Sequence, residues 1–324
     1  MGELVDGVWK SGWYDPDARG AFQRPQTKFR HQVTADGASP EGKGGFTPEA
    51  GRYHLYVSYA CPWAHRTLIV RALRGLEDAI SVTVVDPKMS DDGWSFTKKE
   101  PDPILGKHFL REVYTSADPH YSGRVTVPVL WDKKTKTIVN NESREVMRIL
   151  DVQFEAHAKK GRSLLPPELR PAVEKTLDAI YTPVNNGVYR AGFATKQEAY
   201  EEACNDVFAA LDHWDGVLGN QRYLCGPILT EADVAMFTTL LRFDLVYYAH
   251  FKCNVRRIQD YANLSGYLRD IYQMPDVKKT CRLDHIKTHY YWSQTTVNPH
   301  RIVPVGPDVT RHLELPHDRA RLSG

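Results

Sequence analysis

Long apolar runs are missing from this chain. No stretch of roughly 18 uninterrupted apolar residues occurs, and Met1 to Lys10 has no apolar core of signal-peptide length, so no membrane is expected and a cytoplasmic protein is. An excess of one charge is missing too. Lys and Arg total 42 against 40 Asp and Glu, a formal net charge of +2, which gives no reason to expect nucleic acid or an anionic surface. Cysteines number five, odd, widely spaced and without a C-x-x-C pair, which argues against a disulfide scaffold and for a reducing compartment. No G-x-G-x-x-G or P-loop stands at a strand–helix junction, so no nucleotide cofactor is expected. His285 and His289 lie one helical turn apart, but without a metalloprotease glutamate or an evident third ligand they read as structural, and no metal is expected.

What remains is an ordinary globular composition, 42% hydrophobic and 25% charged over 324 residues, about two domains' worth of chain. Residues 1–50 are rich in Gly, Pro and polar residues. They read as an irregular arm whose aromatics, Trp9, Trp13, Tyr14, Phe22 and Phe29, pack on the body, with Asp36 to Gly45 as a mobile loop. Over 51–158 the pattern is an alternating strand Tyr53 to Val57, a helix to about Leu76 and a second strand Ile80 to Val85. An insertion Asp86 to Arg124 follows, then a hairpin of Val125 to Trp131 with Thr137 to Val139, and a helix carrying Val146, Ile149 and Leu150. A βαβ unit, a hairpin and a helix make the thioredoxin-like order. A hinge-like, proline-rich stretch from Lys159 to Pro171 precedes 172–324, which reads as mostly helical. There Thr230 and Asp233 form an N-cap signal, and the tail from Asn298 is irregular.

Within this frame Tyr59-Ala60-Cys61-Pro62-Trp63-Ala64-His65-Arg66 is the most informative segment. Pro62 suits the first helical position, which puts Cys61 at the N-cap. The positive end of the helix dipole there favours a thiolate and can lower a thiol pKa from about 8.5 into roughly 3.5 to 7.5. A redox dithiol would need a second cysteine at position 64, which holds alanine. Any mixed disulfide on Cys61 must therefore be resolved by a thiol from solution, for which glutathione is the obvious candidate. The competing reading, a small buried hydrophobe, suits Cys204, Cys225, Cys253 and Cys281; for Cys61 the Cys-Pro turn after a strand favours the reactive thiol.

Two further segments point to the same ligand. Pro128 cannot donate to a ladder, so it sits at an edge or follows a cis bond; a cis Val127-Pro128 bond would turn the backbone of Val127 outward to pair with an extended peptide such as glutathione. Asn140-Asn141-Glu142-Ser143 lies between the last strand and its helix. Its amides and Ser143 suit a carboxylate and Glu142 suits an ammonium, the two groups of a γ-glutamyl end, unless the pair is a plain cap. The helical half carries Tyr189, Tyr247, Tyr248, Tyr290 and Tyr291, which serve either as core or as the lining of a pocket for a phenolic substrate.

Cys61 to Arg66, Arg124 to Asp132, Asn140 to Ser143, Gly93-Trp94-Ser95-Phe96 and Tyr181 to Tyr189 together resemble the glutathionyl-hydroquinone reductases, the Xi class of the glutathione transferase superfamily, over nearly the whole chain. The resemblance implies a thioredoxin-like N-terminal domain, an α-helical C-terminal domain and a homodimer formed through the helical domains. It also implies reduction of a glutathionyl-hydroquinone by glutathione, a co-substrate rather than a bound cofactor. Position by position, Cys61 is the implied nucleophile, Trp94, Arg124, Val127, Glu142 and Ser143 hold glutathione, and Tyr189, Tyr247 and Tyr290 contact the quinol, Tyr189 and Tyr290 with catalytic roles. An Omega-like thioltransferase or dehydroascorbate reductase shares the Cys61 chemistry. A non-catalytic transferase-fold binding module would need no reactive thiol.

Overall fold

The Asp6-Gly7 pair sets the first local structure. Both residues take positive φ, 49° and 74°, the geometry of a tight hairpin turn that Asp-Gly accepts. It joins Gly2–Val5 (β1) to Val8–Ser11 (β2), paired antiparallel with Glu3 opposite Lys10. The arm expected to be irregular over 1–50 therefore opens with a hairpin; its sequence signal was Asp-Gly between apolar residues. The computed structural model describes residues 2–39 and 44–323, and residues 40–43 of the loop expected at Asp36 to Gly45 lie outside them.

Tyr53–Val57 (β3) and Pro62–Leu73 (α1) lead into Ser81–Val84 (β4), parallel to β3 with Leu55 opposite Val82. β3 is buried along its whole length rather than half-buried, because both faces are covered. Its one imidazole is satisfied internally, His54 meeting Ser81 Oγ at 2.7 Å and Thr83 Oγ1 at 3.0 Å. α1 stops at Leu73, and Gly75 supplies the φ of +62° that turns the chain away.

The insertion holds a helix that sequence reasoning did not foresee, Leu110–Ala117 (α2), with Phe109 at the N-cap and Glu112 Oε2 accepting the Phe109 N–H at 2.7 Å. After it Gly123–Arg124 (β5) joins β1 as the third strand of a small sheet, Glu3 opposite Arg124. Val129–Asp132 (β6) and Thr137–Asn140 (β7) complete the main sheet in the order β4-β3-β6-β7, with β6 antiparallel to both neighbours. β6 is shorter than the strand expected from Val125. It starts after Pro128, and the Val127-Pro128 bond is cis. Since β6 is interior, proline tolerance at an edge is not the explanation. Ser143–Arg148 (α3), extended by a π-helical turn Ile149–Gln153, packs on α1.

The chain divides into two units, Met1–Trp13 with Arg24–Ser163, and Tyr14–Gln23 with Leu164–Gly324. The first holds both sheets. The second is helical: Arg170–Ile180 (α4), Gly187–Gly192 (α5), Gln197–Leu218 (α6), Glu231–Arg242 (α7), Tyr248–His250 (α8), Leu264–Tyr272 (α9), Pro275–Lys278 (α10) and Leu283–Ser293 (α11). α7 begins where expected, with Thr230 at its N-cap and the Asp233 carboxylate accepting the Thr230 N–H at 2.8 Å. The aromatics of Tyr14 and Phe22 pack with Phe193 inside this unit, at ring distances of 6.3 and 5.3 Å. Among the described residues no helix is long and apolar enough to cross a membrane.

Candidate functional site

Cys61 is the N-cap of α1, in extended conformation with Pro62 behind it at the first helical position. The thiol is partly exposed and its S–H donates to the Val127 carbonyl at 3.6 Å. The residue just before the cis bond and the sulfur are therefore neighbours, although 66 positions separate them. Burial pushes the thiols of Cys204, Cys225, Cys253 and Cys281 up, which suits inert core residues.

Glu142 caps α3 and its carboxylate accepts the Arg144 N–H at 3.4 Å and the Thr27 hydroxyl at 3.3 Å. Ser143 is buried, and its Oγ accepts from Arg66 Nη1 at 3.5 Å. The guanidinium of Arg66, itself 3% exposed, lies over the Trp63 ring at 4.4 Å, and that of Arg24 over the same ring at 4.9 Å. Arg66 stands in the same segment as Cys61 but was given no role from sequence. Its place on the helix turn after the thiol was the available signal.

Two small devices carry the remaining residues of this unit. Arg124, in β5, donates to the Gly12 carbonyl at 3.2 Å and the Trp13 carbonyl at 2.8 Å, with Glu3 Oε2 at 3.6 Å from its Nε. The N-terminal hairpin thus grips both the backbone and the guanidinium of Arg124. Trp94 is buried in the segment between β4 and α2, and its carbonyl accepts the Leu110 N–H at 2.9 Å. Beside it Gly93 has φ +82°, and a Cβ there would come within 2.9 Å of the Trp9 ring, so both the backbone and the close approach of Trp9 require glycine. The Trp9 indole N–H donates to the Asp91 carbonyl at 3.0 Å.

One phenol ties the segments before Val127 and before Glu142 together. The Tyr114 hydroxyl of α2 donates to the Thr126 carbonyl at 2.8 Å and accepts from the Thr126 N–H at 3.2 Å and from Asn141 Nδ2 at 3.0 Å.

In the helical unit Tyr189 of α5, Tyr247 from the π-helical turn Phe243–Tyr247 after α7, and Tyr290 of α11 converge by their hydroxyls. Tyr189 and Tyr290 meet at 2.5 Å, Tyr247 and Tyr290 at 2.9 Å. Their rings pack with Phe251, at 5.5 Å from Tyr189, 5.4 Å from Tyr247 and 5.7 Å from Tyr290. Burial first, and then Tyr189, raise Tyr247 and Tyr290 well above the usual phenol range, so both are neutral hydroxyls at working pH. The adjacent Tyr248 and Tyr291 are outside this set of hydroxyl bonds. Among the described residues no cluster of three His, Cys, Asp or Glu side chains is placed to hold a metal.

Comparison with known proteins follows the same division. The family described as Glutathione S-transferase, N-terminal domain matches residues 60–153, and that described as Glutathione S-transferase, C-terminal domain matches residues 197–270. The chain is 53% identical to the glutathionyl-hydroquinone reductase YqjG of Escherichia coli (strain K12), over 98% of each sequence. The glutathione-bound structure of YqjG superposes with a TM-score of 0.89 at 51% identity, covering 98% of this chain and 99% of that one. A Xi class transferase from Natrialba magadii superposes with a TM-score of 0.91 at 52% identity, covering 100% of this chain and 98% of that one.

Proposed function

Because the chain belongs to the glutathionyl-hydroquinone reductases, the Xi class of the glutathione transferases, we propose that it reduces glutathionyl-hydroquinones with glutathione, releasing the hydroquinone and glutathione disulfide. The observation that carries the reading is the single thiol at the N-terminus of α1, 3.6 Å from the Val127 carbonyl, with alanine at position 64. In the first step the Cys61 thiolate attacks the thioether sulfur. The carbon–sulfur bond breaks with its electron pair passing to the ring, a proton joins that carbon, and Cys61 is left disulfide-bonded to glutathione. Carbon is a poor leaving atom, so the ring reacts through a keto tautomer or with help from a proton donor. In the second step a glutathione thiolate attacks the mixed disulfide, forming glutathione disulfide and restoring the Cys61 thiolate.

Trp94, Arg124, Val127, Glu142 and Ser143 hold glutathione in this scheme. Val127 pairs with its peptide backbone, Ser143 and the α3 amides with its γ-glutamyl carboxylate, and Glu142 with its ammonium. Tyr189, Tyr247 and Tyr290 contact the quinol. The central phenol, Tyr290, is suited to give the proton: when Tyr189 and Tyr247 both donate to its oxygen, its own hydrogen is left for the substrate. Residues 51–158 are the proposed glutathione-binding domain and 172–324 the proposed helical domain, through which the protein forms a homodimer in the cytoplasm.

The test supplies a glutathionyl-hydroquinone and glutathione, follows both products, and repeats the assay with dehydroascorbate. Turnover of the first substrate that far exceeds turnover of the second is expected. A dominant dehydroascorbate rate would make the protein an Omega-like reductase, and no turnover of either would leave a binding module.

A further inference from the structure

Tyr114 is wholly buried, yet it takes no part in the chemistry above. Its hydroxyl has one proton and two lone pairs, and all three are used: the O–H on the Thr126 carbonyl at 2.8 Å, the lone pairs on the Thr126 N–H at 3.2 Å and the Asn141 amide at 3.0 Å. Thr126 precedes Val127, and Asn141 precedes Glu142 and Ser143. The second segment is held from its other side as well, since the Asn141 N–H donates to the Phe29 carbonyl at 3.1 Å and Asn141 Oδ1 accepts the Phe29 N–H at 3.2 Å. The Phe29 ring in turn meets the Tyr114 ring edge-on at 5.9 Å.

We infer that Tyr114 is a positioning residue for glutathione, latching the Val127 segment to the Glu142-Ser143 segment so that one extended peptide meets both at once. The inference rests on the glutathione reading above, in which Val127 takes the cysteinyl backbone and Glu142 with Ser143 the γ-glutamyl end. A ligand spanning two segments gains from both only if their separation is set beforehand; otherwise part of its binding energy is spent on ordering them. A phenol suits the task because its ring is fixed by packing while one oxygen serves three partners. Burial raises the Tyr114 phenol, so it stays protonated and keeps its donor bond on Thr126 at every working pH.

Tyr114→Phe keeps the ring and removes only the latch. With glutathione, the variant should show a dissociation constant and KM raised about tenfold, with kcat at saturation within about twofold of wild type. Cysteinylglycine, which lacks the γ-glutamyl end, should bind wild type and variant equally, and the rate at which iodoacetamide alkylates Cys61 should not change. An unchanged glutathione dissociation constant overturns the inference. So does an equal loss for glutathione and cysteinylglycine, which would mean general damage to the unit. Failure of the glutathione reading itself would appear separately, as wild-type protein that neither binds nor uses glutathione. If Tyr114→Phe is too unstable to assay, Asn141→Ala removes one arm of the latch together with the Phe29 N–H bond and should likewise weaken glutathione more than cysteinylglycine, narrowing the gap in affinity between the two ligands; an unchanged gap there also overturns the inference.

Discussion

Replacing Tyr290 with phenylalanine separates a proton donor from a mere lining residue. Tyr290 shares one oxygen between bonds of 2.5 Å to Tyr189 and 2.9 Å to Tyr247, whereas each outer phenol has one of these bonds. Tyr290→Phe keeps the buried ring and breaks both, which at about 0.5–1.5 kcal/mol net for each bond lowers stability by about 1–3 kcal/mol. Loss of a positioned general acid slows the assisted step by roughly 10²–10⁴-fold. Tyr247→Phe takes away the bond to Tyr290 and leaves the donor, so it should cost about tenfold or less. Single-turnover measurements separate the half-reactions. Release of hydroquinone from a glutathionyl-hydroquinone should fall by the larger factor in Tyr290→Phe, while attack of glutathione on the preformed Cys61 mixed disulfide, which needs no carbon protonation, should keep its rate. Hydroquinone release slowed no more by Tyr290→Phe than by Tyr247→Phe would refute the assignment, as would equal slowing of both half-reactions.

Cys61→Ser should lower turnover by roughly 10³-fold or more, and intact-mass measurement should find one glutathione on the wild type and none on the variant; a variant that turns over at the wild-type rate ends the mechanism. Gly192→Ala would place a Cβ 2.2 to 2.7 Å from three atoms of the Phe251 ring, so it should cost about 1–3 kcal/mol and lower Tm by several degrees. Adding Phe251→Leu should recover part of that loss, and an unchanged Tm in the single variant would contradict the packing. Stability should also fall with acid. Burial holds His54 and His250 down at about 4, from an ordinary 6.5, so each is neutral in the fold. Their contribution is present above the unfolded value of about 6.5 and is lost as pH falls from there through 4, by up to about 3 kcal/mol each. Urea midpoints at pH 7.5, 6, 5 and 4 should trace that decline, and a flat profile would show that these imidazoles are not buried neutral.

The parts of the site that sequence made legible are those with a local cause. Cys61 could be placed at a helix start because Pro62 tolerates the first helical position and few others within a helix. Thr230 and Asp233 mark the start of α7 for an equally local reason, the pairing of an N-cap residue with an acid three positions on. Pro128 announced a break in the ladder, although the strand after it proved shorter than its apolar run suggested, since Thr126 bonds the Tyr114 hydroxyl through both its N–H and its carbonyl rather than a neighbouring strand. Helix α2 was hidden because the insertion lacks a long apolar period. The N-terminal hairpin was hidden in plain view, its Asp-Gly turn lost among glycines and prolines that read as an arm.

By itself the sequence determined a lone cysteine at a helix N-terminus, with Pro62 behind it and no cysteine at position 64. Capping, turn formation and the absence of a neighbouring thiol are settled within a few residues, so they survive being read one segment at a time. Only the tertiary structure decided which distant residues share an environment. It set Val127 beside Cys61, joined Thr126 to Asn141 through Tyr114, gave Arg124 to the carbonyls of Gly12 and Trp13, and chose Tyr247 and Tyr290 over their neighbours Tyr248 and Tyr291 to meet Tyr189. Those contacts close long loops of chain and depend on which face of each helix the core buries, a property of packing that no short stretch of sequence carries.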